Sequence, residues 1–388
     1  MNAFNYIYNC TGHKLKIPNI VDSEGVFVID EHGKKYMDLE SGVWCISLGH
    51  KNKRVNQAIS NQCNSVFQSG FAYTSKGVDT AAKRILDVVG FSEGKCVFLC
   101  SGSEAIEISR QIAKHITQYS KSMTLHDSYL GAYSSVSDRS RGWYLFDWKR
   151  CESCASNQDC SKDCELFQEI PNDISDFVFE PGSSSGFVRF PPKSMIQNLV
   201  DIVRKNGGKI LVNEVTTGVG RTGKWFGYQH YDVTPDLIAI GKGIGNGYPV
   251  SVAVVNEETI RELNNKSFHY SQSHQNDPLG ASVVKEVVDI IEESNLIGNA
   301  AKKGAQFLEQ LNNLIDGKVI LRVRGRGLMM AVDLCDAATT EQIYDALIER
   351  GFLVGNRGST FRIDPPLTIT TDEFDRFVDT FREIIKKF

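Results

Sequence analysis

Lys242 follows a short apolar run, Leu237–Ile240, which predicts a buried strand. Glycines surround this lysine on both sides, so other groups can approach it closely. A lysine amine held at the end of a buried strand can form a Schiff base with an aldehyde cofactor. Most lysines, by contrast, are solvated surface residues. The segments around Lys242 must decide between these two interpretations.

A second candidate site is the run Ser101-Gly102-Ser103-Glu104, which joins a predicted strand to a predicted helix. The start of a helix offers free backbone N–H groups and a positive dipole end, and Ser103 adds a hydroxyl group. Taken alone, the run is typical of an ordinary serine N-cap. Together with Lys242 it predicts a phosphate site at Ser101, Gly102 and Ser103.

Short apolar runs alternate with helical patterns along the chain, which predicts an α/β fold with a mostly parallel central sheet. The predicted strands are Cys96–Cys100, Phe177–Glu180, Ile210–Asn213, Leu237–Ile240 and Ser251–Val255. The predicted helices include Glu104–Tyr119, Met195–Asn206 and Leu279–Glu293. Ligands of such sheets bind at the carboxyl ends of the strands. Cys100, Glu180, Asn213 and Lys242 all fall at these ends and are expected to converge.

The later part of the chain has helical stretches and one short predicted strand, Leu328–Leu334. It ends in a predicted helix, Asp372–Phe388, for which Thr371 is the expected N-cap.

The stretch from Lys209 to Pro249 resembles the class III pyridoxal-phosphate-dependent aminotransferases, the omega- and ornithine-type group of fold type I. The matching residues are Gly218, Gly220, Arg221, Thr222, Gly223, Trp225, Phe226, His230, Pro235, Asp236 and Lys242. Further motifs extend the resemblance over almost the whole chain, namely Asp38–Trp44, Leu48–His50, Ser101–Ala105, Glu180–Pro181, Val323–Leu328 and Arg362–Leu367. A match of this length is much more specific than a short motif.

The resemblance implies a large cofactor domain over residues 51–275 and a smaller α+β domain built from residues 1–50 and 276–388. It implies pyridoxal 5'-phosphate, bound at Lys242, as the cofactor. It also implies a homodimer with shared active sites, because Ser273 occupies the position of a family threonine that reaches the phosphate of the neighbouring subunit.

Several cofactor-binding positions depart from the family pattern. Asn213 replaces an aspartate that pairs with the pyridine nitrogen, and a neutral amide cannot keep that nitrogen protonated as a carboxylate does. Thr216, next to Val215, replaces a glutamine that contacts the phenolic oxygen. Leu125 takes the place of the aromatic ring that stacks on the cofactor. His126 and Tyr129 are nearby polar or aromatic candidates, although a lone histidine is more often structural.

On the substrate side, the resemblance places Glu180, Arg221 and Trp44 at the pocket by position. Arg362 is the expected partner of a substrate carboxylate, which an arginine can bind bidentately. Ser185 stands where ornithine-type relatives have a glutamate that masks this arginine, so Arg362 is expected to be permanently available. A structural ion pair is the alternative for Arg362.

Four cysteines, Cys151, Cys154, Cys160 and Cys164, lie within a polar segment. Such a group could bind zinc or an iron–sulfur cluster, although the spacing is not a standard one. Some relatives carry cysteines here without a metal, and one branch has a cluster. Metal ligands and free thiols both remain possible interpretations.

The chain has 388 residues and a net charge of −4, which argues against nucleic acid as the main partner. No secretory signal or membrane-length apolar stretch is found, and ten cysteines then indicate reduced thiols and a cytoplasmic location.

The sequence therefore predicts an aminotransferase that moves an amino group between an amino acid or omega-amine and a keto acid through an aldimine of Lys242. An isomerase or lyase on the same scaffold is the alternative, and a catalytically inactive cofactor-binding protein is a third reading.

Overall fold

The computed structural model of the chain describes residues 6–8, 10–11, 13–154, 159–183 and 187–388. In chain order its strands β1 to β15 are Ile20–Glu24, Phe27–Asp30, Lys35–Asp38, Lys95–Leu99, Lys121–Leu125, Trp143–Phe146, Ile174–Phe179, Lys209–Asn213, Leu237–Ile240, Ser251–Val255, Ile320–Arg326, Met329–Leu334, Phe352–Leu353, Gly355–Arg357 and Thr360–Ile363. Its helices α1 to α13 are Ser41–Trp44, Lys53–Cys63, Lys76–Val89, Gly102–Thr117, Ser134–Ser137, Lys149–Glu152, Glu165–Gln168, Lys193–Lys205, Glu257–Asn264, Pro278–Glu293, Leu296–Asn312, Ala337–Glu349 and Thr371–Ile385.

The central sheet has seven strands in the order β4-β10-β9-β8-β7-β5-β6. Strand β10 runs antiparallel to both of its neighbours, and the other pairs are parallel. Its inner strands β7, β9 and β10 are buried along their whole length because helices cover both faces of the sheet. The predicted α/β fold with a mostly parallel sheet is confirmed. Because the parallel strands run in the same direction, their carboxyl ends lie at one edge of the sheet.

Most predicted elements agree with the structure to within two or three residues, and β9 and β10 agree at both ends. The cap of the last helix differs. Thr370, rather than Thr371, accepts the N–H of Glu373, and the Glu373 carboxylate in turn accepts the N–H of Thr370. This capping box needs Thr370 in extended backbone, so Thr371 becomes the first helical residue.

The two ends of the chain share one small sheet. Strands β1, β2 and β3 form an antiparallel ribbon, and β13 from the C-terminal part adds to it parallel to β3. A third sheet, in the order β11-β12-β15-β14, lies wholly in the C-terminal part. The pairing of β13 with β3 places the residues just after β3 beside β15. Within the described ranges, no helix combines the length and apolar character needed to cross a membrane.

Candidate active site

Lys242 begins a single 3-10 turn, Lys242–Gly245, directly after β9. Its φ is +47°, so the chain reverses at this residue and the side chain leaves the end of the sheet. Desolvation lowers the pKa of the Lys242 amine from its ordinary value. The neutral, nucleophilic form of the amine is therefore more accessible than in an exposed lysine.

Helix α4 begins at Gly102, next to the lysine turn. Ser101 caps the helix by accepting the N–H of Glu104, while the Glu104 carboxylate accepts the N–H groups of Cys100 and Ser101. A Cβ at position 102 would lie 2.7 Å from the side chain of Val215, so glycine is required there. The Ser103 hydroxyl accepts the N–H of Ala132 at 3.1 Å and keeps its own proton for another acceptor.

A cavity of about 360 Å³, called the inner cavity below, lies between the start of α4 and the lysine turn. Residues that the sequence singled out form much of its wall, namely Ser101, Gly102, Ser103, Asn213, Val215, Thr216 and Lys242. They come together because β8, β9 and the β4–α4 junction end at the same edge of the sheet.

The side chain of Asn213 is held by two hydrogen bonds. Its Oδ1 accepts the N–H of Val215 at 3.2 Å, and its Nδ2 donates to the carbonyl of Tyr129 at 3.0 Å. The Val215 donor fixes the orientation of the amide, because an N–H must face an oxygen. Nearby, the Thr216 hydroxyl is buried without a hydrogen-bond partner in the described part of the chain. An unpartnered buried hydroxyl in the wall of a cavity fits a polar ligand.

Leu125 and His126 do not line the inner cavity, which corrects the position expected for them. Leu125 is the last residue of β5 and is buried in the core, while His126 is exposed. The aromatic residues in the cavity wall are Tyr129, followed by Leu130 and Gly131, and Tyr248.

Gly131 explains why the loop that carries Tyr129 passes close to the start of α4. Its φ is +118°, and a Cβ there would lie 2.6 Å from the Ser103 hydroxyl oxygen. A glycine is therefore needed where this loop meets the start of α4, and it fixes Tyr129 in the wall.

Glu180 and Arg221 have supporting positions behind the cavities. A Glu180 carboxylate oxygen accepts the N–H of Tyr129 at 3.0 Å and so holds the loop that carries this ring. Arg221 is buried and donates to the carbonyls of Leu328 and Pro365. Arg221 thus joins the loop after β8 to the C-terminal part, which corrects its expected role as a pocket residue.

A second cavity of about 880 Å³, the outer cavity, shares Lys242 and Tyr129 with the inner one. Trp44 and Arg362 form part of its wall. The Trp44 ring stands between the two cations, with Lys242 Nζ 5.1 Å and Arg362 Cζ 4.3 Å from its centroid. The aromatic face attracts both positive charges.

Arg362 forms an ion pair with Glu40 through its Nη2 atom. The expectation that Arg362 is permanently available is therefore wrong. Ser185, from which that expectation came, lies outside the described residues. The carboxylate that masks Arg362 is instead that of Glu40, which lies between β3 and a left-handed turn.

That turn, Ser41–Trp44, is left-handed, with φ between +50° and +64° at all four positions. Such a conformation costs about 1–2 kcal/mol for each residue other than glycine. Its anchors are the Asp38 carboxylate, which accepts the N–H of Gly42 at 2.8 Å, and the Ser41 hydroxyl, which donates to the carbonyl of Asp364. The turn places Trp44 and Glu40 beside β15.

Ser273 does not line the inner cavity of its own chain. It is exposed, and its carbonyl accepts a hydrogen bond from Gln68 Nε2 at 2.8 Å.

The four clustered cysteines line a separate cavity of about 310 Å³ beside Arg150, Glu165 and Met195. All four are free thiols, and no group of three or more potential ligands in the described ranges is arranged to hold a metal ion. Zinc or iron–sulfur binding, one of the two interpretations of this cluster, thus finds no support in the described residues. Burial raises the pKa of the Cys151 thiol to about 11, so the thiol is protonated at neutral pH.

Comparison with known proteins gives one consistent family. A family model described as aminotransferase class-III matches residues 8–141 and 145–385. Acetylornithine aminotransferase of Aquifex aeolicus is 27% identical over 372 residues, covering 94% of this chain and 96% of that protein. Taurine–pyruvate aminotransferase of Bilophila wadsworthia is 28% identical over 429 residues, covering 96% and 93%.

The fold comparison agrees. A solved structure described as an aminotransferase of Bacillus anthracis superimposes with a TM-score of 0.91 over 99% of this chain and 96% of that one. At 24% identity this likeness is one of fold.

Proposed function

This chain belongs to the class-III aminotransferases, which use pyridoxal phosphate, and we propose that Lys242 is its Schiff-base lysine. On this proposal the protein moves an amino group between an amino acid or omega-amine and a keto acid. The observation that carries the proposal is the position of Lys242 in the walls of both the inner and the outer cavity. A single amine can then face a cofactor on one side and a substrate on the other.

The inner cavity fits pyridoxal phosphate by the chemistry of its wall. The start of α4 at Gly102 and the Ser103 hydroxyl suit the phosphate, and the unpartnered Thr216 hydroxyl suits the phenolic oxygen. Val215 and Tyr129 offer an apolar and an aromatic surface for the ring. When bound, the cofactor supplies an aldehyde that captures amines and a ring that withdraws electrons.

Lys242 then acts as the proton carrier of the reaction. Its desolvated amine, with a lowered pKa, can take a proton from the substrate carbon and deliver it to the cofactor. Tyr129 and Trp44 line the outer cavity beside this amine.

Asn213 gives the site a weaker electrostatic pull than an aspartate would give. Its amide is neutral, and its Oδ1 is occupied by the N–H of Val215. A carboxylate close to the ring nitrogen would raise the pKa of that nitrogen by roughly 1–3 units. We propose that the ring nitrogen is less readily protonated here, so the proton transfer depends more heavily on Lys242.

The relatives do not select the amino donor, because proteins of nearly equal identity are named for acetylornithine and for taurine with pyruvate. The outer cavity offers Arg362 to a carboxylate, and Trp44 to the carbon chain beside it. We therefore propose a keto acid as one substrate and leave the donor to measurement.

A homodimer with shared active sites is proposed from the exposed segment over residues 66–73. Val66, Phe67, Phe71 and Tyr73 are each more than half exposed, and Gln68 in the same segment contacts Ser273. An apolar patch of this kind suits an interface, and a symmetric dimer would bring Ser273 towards the neighbouring phosphate site. A monomeric mass in light scattering at micromolar concentration would contradict this proposal.

All ten cysteines are free, which favours a cytoplasmic location.

The test of the proposed function is a visible absorbance titration of the protein loaded with pyridoxal phosphate. A panel of amines is added first, and pyruvate or 2-oxoglutarate is added afterwards. Transamination predicts that one donor bleaches the cofactor band and that the keto acid restores it. A band that persists while the donor is isomerised or eliminated would contradict the proposal. Lys242→Ala is the control, because it removes the attachment point of the cofactor and keeps the rest of the cavity wall.

A further inference from the structure

Strand β11 contributes to a further cavity of about 490 Å³, called the arginine cavity below. Side chains two positions apart lie on the same face of a strand, so Arg322, Arg324 and Arg326 share one face of β11. All three line the arginine cavity, and Arg189 and Lys193 add to the same wall. The arginine cavity shares no wall residue with the inner or the outer cavity.

The wall of the arginine cavity carries more positive than negative charge. Within the described ranges, five cationic side chains line it against one carboxylate, that of Glu152. Three of the cations have a carboxylate within ion-pair distance, namely Arg189, Lys193 and Arg324. No carboxylate of the described residues pairs with Arg322 or Arg326. Two guanidinium groups of this wall therefore lack an anion.

Arg326 is held in place by aromatic rings. Its Cζ lies 4.5 Å from the ring centroid of Phe190 and 5.0 Å from that of Tyr231, and the faces of these rings attract the cation. The Nη1 atom of Arg326 is buried and has no hydrogen-bond partner in the described part of the chain. A buried donor without a partner indicates an acceptor that the protein does not itself supply.

An alternative role for the three arginines is protection of a sheet edge, because β11 is the first strand of its sheet. Charged side chains on an edge strand prevent pairing with another chain. That role needs only solvated charges. The Arg324 side chain, however, is 11% exposed, and its Nε donates to the carbonyls of Phe187 and Val188. Arg324 thus ties β11 to the segment that carries Arg189, and the arginines form one side of a built cavity.

We propose that the arginine cavity binds a phosphate ester of a small organic molecule, with Arg322 and Arg326 as the residues that contact the phosphate. A phosphate presents three acceptor oxygens, so it can accept from more than one arginine, whereas one bidentate arginine fills a carboxylate. Neighbouring arginines on this face are about 6.8 Å apart along the strand, which suits an anion that lies between long side chains.

The rest of the wall suits the organic part of such an ester. The aromatic residues Trp148 and Phe190 line the arginine cavity and offer apolar surface for a ring or carbon chain. The volume of the arginine cavity is that of a small-molecule site. A concave site of this size favours a small anion over the flat surface of an acidic protein.

The test is a ³¹P NMR titration of the loaded protein with phenyl phosphate and with inorganic phosphate, in a buffer without other multivalent anions. The bound cofactor already fills the phosphate site of the inner cavity. We expect phenyl phosphate to bind about threefold more tightly than inorganic phosphate, because the aromatic wall adds to its affinity. Binding of neither probe would overturn the proposal, and equal affinities would overturn the assignment of an ester.

Substitutions of equal charge separate the arginine cavity from general electrostatics. Arg326→Gln should weaken phenyl phosphate binding by about tenfold, since a charge-assisted hydrogen bond is lost. Arg322→Gln should weaken it by about threefold, because this side chain is exposed and screened. Lys318→Gln is the control, since Lys318 is exposed, precedes β11 and lies outside the wall. An equal loss in all three variants, or no loss in either arginine variant, would contradict the proposal.

Chemical protection locates the bound ester. Phenylglyoxal modifies accessible arginines, and peptide mass spectrometry then reports which residues have reacted. Saturating phenyl phosphate should protect Arg322 and leave Arg357 of the outer cavity reactive. Protection of Arg357 without protection of Arg322 would place the ester in the outer cavity and overturn the proposal. Arg322→Gln should keep the half-reaction rates within about twofold, so this test is independent of the proposed function.

Discussion

The inner and outer cavities share Lys242 but are built in different ways. The wall of the inner cavity comes largely from strand ends and loop starts of one sheet, where Asn213 is bound to backbone groups and the Thr216 hydroxyl is buried and unpartnered. Most of the wall of the outer cavity comes from the two ends of the chain, and its carboxylates Glu341 and Glu40 are paired with Lys16 and Arg362. A cofactor needs one fixed geometry, whereas two alternating substrates need a wall that can exchange partners.

Lys242→Ala tests whether the shared residue serves both cavities. We expect loss of amine turnover by about 10⁴-fold or more, because both the attachment point and the proton carrier disappear. Stopped-flow absorbance of the half reaction measures this loss. Retention of turnover within tenfold would show that the two cavities do not meet functionally at this residue.

Asn213→Asp tests the rigidity of the inner cavity. A carboxylate would still accept the N–H of Val215, but it would turn an oxygen towards the Tyr129 carbonyl, where Asn213 now donates. We expect the cofactor-free protein to lose about 1–3 kcal/mol of stability, measured by urea unfolding. The loaded protein should lose less, because a protonated ring nitrogen can pair with the carboxylate.

Asn213→Ala is the matched control, since it also removes the bond to Tyr129 but offers no charge to the ring. If Asn213→Asp and Asn213→Ala lost stability equally with and without cofactor, position 213 would not face the ring nitrogen.

Gly102→Ala tests the close approach at the start of α4. The added Cβ would meet the Val215 side chain at 2.7 Å, so we expect about 1–3 kcal/mol of overpacking and weaker cofactor binding. Val215→Ala in the same protein should restore much of both, as measured by cofactor titration and thermal unfolding. A lack of rescue would mean that the clash is not the cause.

The pH dependence of cofactor capture tests the environment of the shared lysine. Burial lowers the pKa of Lys242 below its ordinary value of 10.5, and the neutral amine is the reactive form. The rate at which the cofactor-free protein captures pyridoxal phosphate should therefore reach its midpoint at a lower pH than the same reaction of Nα-acetyl-lysine. Identical midpoints would contradict the described burial of the amine.

The smallest effect is expected at the cysteine-lined cavity, which shares no wall residue with the inner or outer cavity. Replacing Cys151, Cys154, Cys160 and Cys164 together by serine should leave the half-reaction rates within about twofold, since changes that do not touch the reacting groups have small effects on the rate. A large loss of activity, or stoichiometric zinc or iron in the anaerobically purified wild type, would overturn this expectation.

The sequence by itself determined the fold class and the inner cavity. Apolar runs ending at Ile240, Asn213 and Cys100 predicted strand ends next to Lys242 and Ser101, and the carboxyl ends of parallel strands meet at one edge. These residues could be placed together from the sequence, because a local apolar run identifies both a strand and the residue at which it ends.

Tertiary structure decided the aromatic wall and the outer cavity. The offset from Leu125 to Tyr129 depends on a loop whose path is set by the close contact of Gly131 with Ser103. The pairing of Glu40 with Arg362 joins residues 322 positions apart through a left-handed turn. Neither feature follows from hydrophobic periodicity, because periodicity reports which face of an element is buried and not which distant side chain lies opposite it.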